Sequence, residues 1–113
     1  MTEADLQAQM VAYHNAKYRH KSILVHIANE RMTTPQHANK LKAMGVIAGV
    51  PDLLLTWDGG YQWIEVKTDT GKLGPKQKAF AERAEKVANH RVVLVRSLDQ
   101  FSNLLEVLLG PPN

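Results

Sequence analysis

A predicted β-hairpin near the middle of the chain constrains the fold most strongly. Two apolar runs, PDLLLTW at 51–57 and YQWIEVK at 61–67, are separated by Asp-Gly-Gly at 58–60. An Asp-Gly or Gly-Gly step between two β-rich runs is a strong short-range signal for a tight hairpin, because these residues accept the positive φ that the turn needs. The sequence therefore predicts two antiparallel strands joined by a two-residue turn.

The predicted hairpin brings three ionisable residues, Asp52, Glu65 and Lys67, to one face. If the Asp-Gly pair forms the turn, Asp52 lies opposite Glu65; if the Gly-Gly pair forms it, Asp52 lies opposite Lys67. Side chains alternate between the two faces of a strand, so both registers keep the three residues together. Charged residues on a hairpin are most often a solvated face. Leu54 and Trp63 share this one, however, which indicates that it is at least partly covered.

Helix and strand signals along the rest of the chain predict the order αβαββαβα. The last strand follows a helical crossover, so we expect an α/β (mixed α+β) fold in which helices flank a central mixed sheet. Capping residues mark several of the helix ends. Outside the hairpin, the predicted elements are a helix from Thr2 to Lys17, a strand over 22–29, a helix that Thr34 and Pro35 open and Gly45 ends, a helix from Pro75 to His90, a strand over 91–96, and a helix that Ser97 caps and Gly110 ends.

The composition narrows the class of protein. A length of 113 residues predicts a single domain, residues 1–113, with one hydrophobic core. The absence of cysteine excludes disulfides, cysteine zinc sites, iron–sulfur clusters and thiol nucleophiles, and fits a reducing cytoplasm. No apolar run approaches the ~20 residues of a membrane span, so no membrane association is expected. The formal net charge of +3 suits a polyanionic partner but is too small to identify one.

The three ionisable residues of the hairpin suggest a chemistry. Two carboxylates with Cβ atoms about 5 Å apart in a partly dry cleft repel each other, unless a cation lies between them or one is protonated. A hard divalent ion such as Mg²⁺ resolves this conflict, because it binds one or two carboxylates together with waters and phosphate oxygens. Lys67 would polarise an attacking water or neutralise charge in the transition state. This combination predicts metal-dependent hydrolysis of phosphodiesters.

The same residues resemble the PD-(D/E)xK nuclease superfamily, through Pro51-Asp52 followed by Glu65-Val66-Lys67. The surrounding sequence sharpens the resemblance to the VRR-NUC family, in its stand-alone, single-domain form. The resemblance covers nearly the whole chain and implies the superfamily's restriction-endonuclease-like sheet flanked by helices. It is carried by NE at 29–30, LKAMGVIAGVPDLLL at 41–55, WIEVKTDTGKLGPKQ at 63–77 and a glutamate in the first helix.

The resemblance implies roles for individual residues. Asp52 and Glu65 correspond to the metal-binding carboxylates, Lys67 to the catalytic lysine, and the backbone carbonyl of Val66 to a further metal ligand. The cofactor would be Mg²⁺ or Mn²⁺, with one or two ions per site.

Two outlying positions also match the family pattern. Glu3 would hold a metal-bound water or a second ion, and Gln77 would orient a water or the scissile phosphate. Single-domain members resemble homodimers that cut branched DNA such as four-way junctions, which suggests a replication, repair or phage context in a bacterial or phage-infected cell.

Five basic residues near the predicted cleft are candidates for contacts with DNA phosphates, which would position the substrate without reading its sequence. They are Arg31, beside the loop before the second helix, Lys40 and Lys42 on that helix, and Lys72 and Lys76 after Lys67.

Other functions were weighed against the nuclease. The five histidines show no zinc spacing, and no P-loop or Gly-x-Ser-x-Gly motif occurs, so ATP use or another nucleotide cofactor is not expected. The main alternative is a non-catalytic DNA-binding module of winged-helix type, in which residues 33–46 contribute a helix and the hairpin forms the wing. A protein that uses the nuclease fold without cutting is a third possibility.

Overall fold

The computed structural model describes residues 1–28 and 34–112. These residues form four helices and four strands in the order αβαββαβα, as the sequence predicts. The elements are α1 (Glu3–Lys17), β1 (Ser22–His26), α2 (Pro35–Ala43), β2 (Leu53–Trp57), β3 (Gly60–Val66), α3 (Pro75–Ala88), β4 (Val92–Val95) and α4 (Leu98–Leu109).

The strands form one mixed sheet in the order β1-β2-β3-β4. The β1–β2 and β2–β3 pairs are antiparallel, whereas β3 and β4 are parallel because α3 carries the chain back between them. The predicted mixed sheet with flanking helices is therefore confirmed.

The predicted helix starts agree with the structure, while several element ends differ by a few residues. Thr2 and Asp5 form a capping box at the start of α1. Helix α3 ends at Ala88 rather than at residue 90, because Asn89 takes the left-handed conformation, with φ of 53°, that closes many helices. Strand β2 begins at Leu53 rather than at Pro51, which has no N–H to donate to the ladder.

The two edge strands are shorter than predicted. Strand β1 ends at His26, and residue 29 of the predicted strand lies outside the described residues. Strand β4 covers Val92–Val95, one residue less at each end than the predicted 91–96.

The main core lies between one face of the sheet and the helices α1 and α4. Leu53 pairs with Ile64 in the ladder, so both side chains point to this face. Each aliphatic side chain removed from water here contributes about 1.5–3 kcal/mol. The buried residues of this core are Leu6, Met10, Tyr18, Leu53, Leu55, Ile64, Val66, Val95, Phe101 and Leu105.

Helix α3 covers part of the opposite face. The ring of Phe80 meets that of Trp63 edge-on, with centroids 5.4 Å apart. Because Trp63 and Glu65 share a face of β3, this contact places α3 beside the acidic residues of the hairpin. Within residues 1–28 and 34–112, no helix is both long and apolar enough to span a bilayer.

Candidate active site

The register of the hairpin places the two predicted carboxylates side by side. Trp57 pairs with Gly60, so Asp58 and Gly59 form the turn, and the ladder continues to Leu53 opposite Ile64. One further step along this register brings Asp52 next to Glu65. The structure therefore selects the first of the two predicted registers.

Asp52 is held by both neighbouring strands. Its Oδ2 accepts a hydrogen bond of 2.9 Å from the backbone N–H of Val66, and its carbonyl oxygen accepts one of 2.8 Å from Ile27. The His26 Nδ1 atom lies 2.9 Å from the same carbonyl and 3.0 Å from the Gln7 Nε2 atom of α1. These contacts fix the carboxylate at the point where β2 begins.

Glu65 is a carboxylic acid that is almost fully removed from water, with 2% of its surface exposed. Its Oε1 accepts a hydrogen bond of 3.0 Å from the Gln77 amide, whereas Oε2 is buried without a hydrogen-bond partner among the described residues. Burial, followed by the neighbouring Asp52 carboxyl, raises the pKa of Glu65 to about 8, and Lys67 acts in the opposite direction. The negative charge of Glu65 is therefore undercompensated.

The side chain of Gln77 connects α3 to this acid. Its Oε1 accepts a hydrogen bond of 2.8 Å from the backbone N–H of Gly74 at the start of α3, and its Nε2 donates to Glu65. One amide thus caps the helix and orients the carboxylate. The predicted contact of Gln77 with a water or a phosphate stays a prediction.

Lys67 lies just beyond the end of β3 and is half-buried. Its backbone N–H donates to the carbonyl of Val95 over 3.1 Å, which fixes the origin of the side chain. A Cβ atom added to Gly71 would lie 3.2 Å from the Lys67 Cδ atom, so the glycine of the following loop leaves room for the lysine stem.

Arg96 steadies the loop that follows Lys67. One of its guanidinium nitrogens donates to the carbonyl oxygens of Thr68 and Asp69, over 2.9 and 3.1 Å. Neither Arg96 nor His26 was singled out as a site residue from the sequence. No motif marks either one, because both act on backbone carbonyls brought near only by the fold. His26 was expected in the core but is exposed.

Gly49 allows the loop before Asp52 to touch the first turn of α3. It has φ of 82°, and a Cβ atom there would overlap the Lys76 carbonyl group and lie 2.8 Å from the Gln77 nitrogen. Only glycine permits both this backbone conformation and this close approach. The contact sets the distance between the Asp52 segment and the helix that carries Gln77.

Glu3 lies at the start of α1 and is exposed, yet it is near enough to contribute to the raised pKa of Glu65. Across residues 1–28 and 34–112, no group of three or more His, Cys, Asp or Glu side chains is arranged to hold a metal ion. The two carboxylates of Asp52 and Glu65, with the Val66 carbonyl, are the oxygen donors that the resemblance assigns. They fit a hard cation, which would give the unpartnered Glu65 Oε2 a partner and balance the two acids.

The predicted phosphate contacts divide into three groups. Lys42 and Lys76 line one cavity between α2 and α3. Lys40 and Lys72 are exposed outside it, and Arg31 lies outside the described residues.

Comparisons with known proteins agree with this geometry. A family model described as the VRR-NUC domain matches residues 2–99. A solved structure described as a "VRR_NUC domain protein" superposes with a TM-score of 0.70 at 22% identity, covering 94% of this chain and 86% of that one. At this identity the structural likeness supports the fold alone. No curated protein sequence matches the chain.

Proposed function

The chain belongs to the VRR-NUC family, a family of nuclease type, and we propose that it is a metal-dependent DNA endonuclease that hydrolyses phosphodiester bonds. The observation that carries this proposal is the Glu65 Oε2 atom, which is buried without a hydrogen-bond partner in the described structure. The carboxylate of Asp52 lies beside it in the hairpin register. Leaving a buried polar atom unsatisfied is costly, and such atoms are concentrated at functional sites.

Asp52, Glu65 and the Val66 carbonyl would hold one or two Mg²⁺ or Mn²⁺ ions. A bound ion would supply Lewis-acid polarisation of the phosphate at this site. Asp52 is ready for this role, because one oxygen, Oδ2, is already fixed by the Val66 N–H and the carboxylate is only half-buried.

Lys67 would orient an attacking water and balance negative charge on the phosphate as the bond breaks. Gln77 keeps Glu65 in position from α3, and its reach to a water or phosphate forms part of the proposal. Glu3, at the edge of the acidic pair, would hold a water of the ion or a second ion.

The proposed substrate is branched DNA such as a four-way junction, and the proposed assembly is a homodimer. A unit with a largest extent of 48 Å grips little of a long branched substrate by itself. Ile23 and Val25 of the edge strand β1 are 64% and 42% exposed, an apolar surface that a second copy would cover. A role in replication, repair or a phage life cycle, within a cytoplasm, would follow from this activity.

The proposal is tested by cleavage of labelled linear and four-way junction DNA with Mg²⁺, with Mn²⁺ and with a chelator. We expect cutting that needs the metal and falls at least about 100-fold in Asp52→Asn and in Lys67→Ala, the usual scale for losing an electrostatic or acid–base group. Asp58→Asn removes the same charge at the far end of the hairpin and Lys78→Ala removes an exposed lysine of α3. Both controls should cut normally.

The winged-helix alternative is disfavoured by the segment after α2. Residues 44–52 contain no helix, so a recognition helix is missing where that motif requires one. If the protein shifts DNA in a gel but never cuts it under any metal condition, the nuclease proposal is wrong and a binding role is favoured.

A further inference from the structure

A second concave surface adjoins the acidic residues. We call it the α2–α3 groove: a cavity of about 500 Å³ between the segment around Ile47 and one side of α3. Trp63 and Phe80 form its aromatic wall, and Val87, 71% exposed, forms part of its far wall. Exposed apolar surface of this kind marks binding sites more often than it occurs by chance.

The groove begins one step from the acidic site. Helix α3 crosses β3 through two successive contacts, the hydrogen bond from Gln77 to Glu65 and the edge-on packing of Phe80 against Trp63. Trp63 precedes Glu65 by two residues, which is about 7 Å along a strand. This separation is comparable to the spacing of neighbouring phosphates in a single strand of DNA.

The charge around the groove is positive. Lys42 comes from α2, and Lys76 and Arg83 from α3. Among the described residues that line the groove, none is acidic. An apolar floor with a cationic edge is complementary to a nucleotide, because a base is a flat apolar surface attached to an anionic phosphate.

We propose that the α2–α3 groove binds an unpaired nucleobase of the DNA strand that is cut, next to the phosphate at the acidic site. The proposal rests on the proposed nuclease function and adds a source of substrate selectivity. A base inside a duplex is stacked and paired and cannot enter the groove, whereas a branch point supplies unpaired bases at lower energetic cost. Lys42, Lys76 and Arg83 would contact the flanking phosphates.

The first test uses Trp63 as a reporter. The chain has two tryptophans, so Trp57→Phe leaves Trp63 as the only one. Its emission is followed in chelator while a single-stranded oligonucleotide, a duplex of the same sequence, or a strand of abasic sites is added. We expect the single strand to change the emission strongly and the other two to change it little. Equal responses to the normal and abasic strands would overturn the proposal, since the abasic strand keeps its phosphates but has no bases.

The second test places a carboxylate in the groove. Val87→Glu changes an exposed residue of its wall, and Val107→Glu makes the same substitution on α4, where Val107 is 83% exposed. Affinity for the single strand should fall roughly five- to 100-fold in Val87→Glu, the range for losing one base–aromatic contact, and remain unchanged in Val107→Glu. A difference of less than twofold between the variants contradicts the proposal.

The same variants distinguish the groove from its alternatives. If Val87→Glu instead converts a dimer to a monomer in light scattering, the occupant is a second copy and the base-binding proposal is wrong. Because binding is measured in chelator, it does not depend on cutting. Loss of base binding with intact metal-dependent cleavage removes this inference alone, whereas base binding without cleavage removes the proposed nuclease and leaves a groove for single-stranded DNA.

Discussion

Glu65 is the residue whose environment is least favourable to its ordinary charged form. It lies on the partly covered face of β3, accepts one hydrogen bond from Gln77, and has a second oxygen without a partner in the described structure. A proton or a cation must compensate it, and the two have opposite consequences for how stability depends on pH.

The first prediction concerns the metal-free protein. The pKa of Glu65 is raised from 4.5 to about 8, so between these values the folded state binds a proton that the unfolded state has released. The free energy of unfolding should therefore fall as pH rises through this window, by up to about 1.4 kcal/mol per pH unit. Urea denaturation in chelator measures the slope.

Glu65→Gln provides the matched control, because it keeps the shape of the side chain and removes its titration. Its unfolding free energy should lack this slope. Added Mg²⁺ should stabilise the unmodified protein most near the upper end of the window, where the proton is leaving. A pH-independent wild-type stability that matches Glu65→Gln would show that the acid is not perturbed.

At the scale of elements, the hairpin and α3 are joined by the close contact at Gly49. Gly49→Ala introduces a Cβ that overlaps the backbone of Lys76, whereas Gly45→Ala, at a similar φ of 99°, meets nothing within 4 Å. Both variants should lose about 1–2 kcal/mol from the left-handed conformation. Only Gly49→Ala should lose a further ~1–3 kcal/mol from overpacking, with weakened metal binding.

Thermal unfolding and metal titration calorimetry of the two variants test this prediction. Equal losses of stability would mean that the loop moves away from α3 freely and does not set the site. A large loss of stability with unchanged metal affinity would show that the contact is structural only.

The elements that the sequence predicts well are those specified by local chemistry. The Asp-Gly turn fixes a hairpin register that differs from its alternative by one residue of loop placement, and Thr2, Thr34 and Ser97 cap the helices that they were predicted to cap. Strand ends and the groove could not be predicted in the same way. They depend on which backbone groups find partners and on how α3 lies against β3, and both are set by tertiary packing.

Prediction of the site divides along the same line. Asp52 and Glu65 follow from the pleat of one hairpin, so their proximity is readable from spacing. Arg96 reaches Thr68 from the end of β4, and no pattern within either segment indicates that contact. The Gln77 position was indicated by resemblance, whereas its bond to Glu65 required the fold.

For the whole molecule, the formal charge of +3 is small, so DNA affinity must come from where the cations lie. The double variant Lys42→Ala/Lys76→Ala removes two cations that line the groove. If each contacts one phosphate, the slope of log affinity against log salt should become shallower by about 1.4 to 1.8. Filter binding over a range of salt concentrations measures it.

The control is Lys78→Ala/Lys86→Ala, which removes the same charge from exposed positions of α3 outside the groove. Its slope should stay close to that of the unmodified protein. If both double variants change the slope equally, the protein attracts DNA through its total charge, and no phosphate path follows the groove.

The double role of Gln77 makes catalysis and folding share one amide. The first turn of α3 and the orientation of the buried acid are thermodynamically linked, so whatever neutralises that acid also tightens the helix origin, and reciprocally any strain on the helix origin loosens the grip on a bound ion. Slower deuterium uptake at the backbone amides of residues 77–79 would then report occupancy of the acidic pair from a distance, without any substrate present.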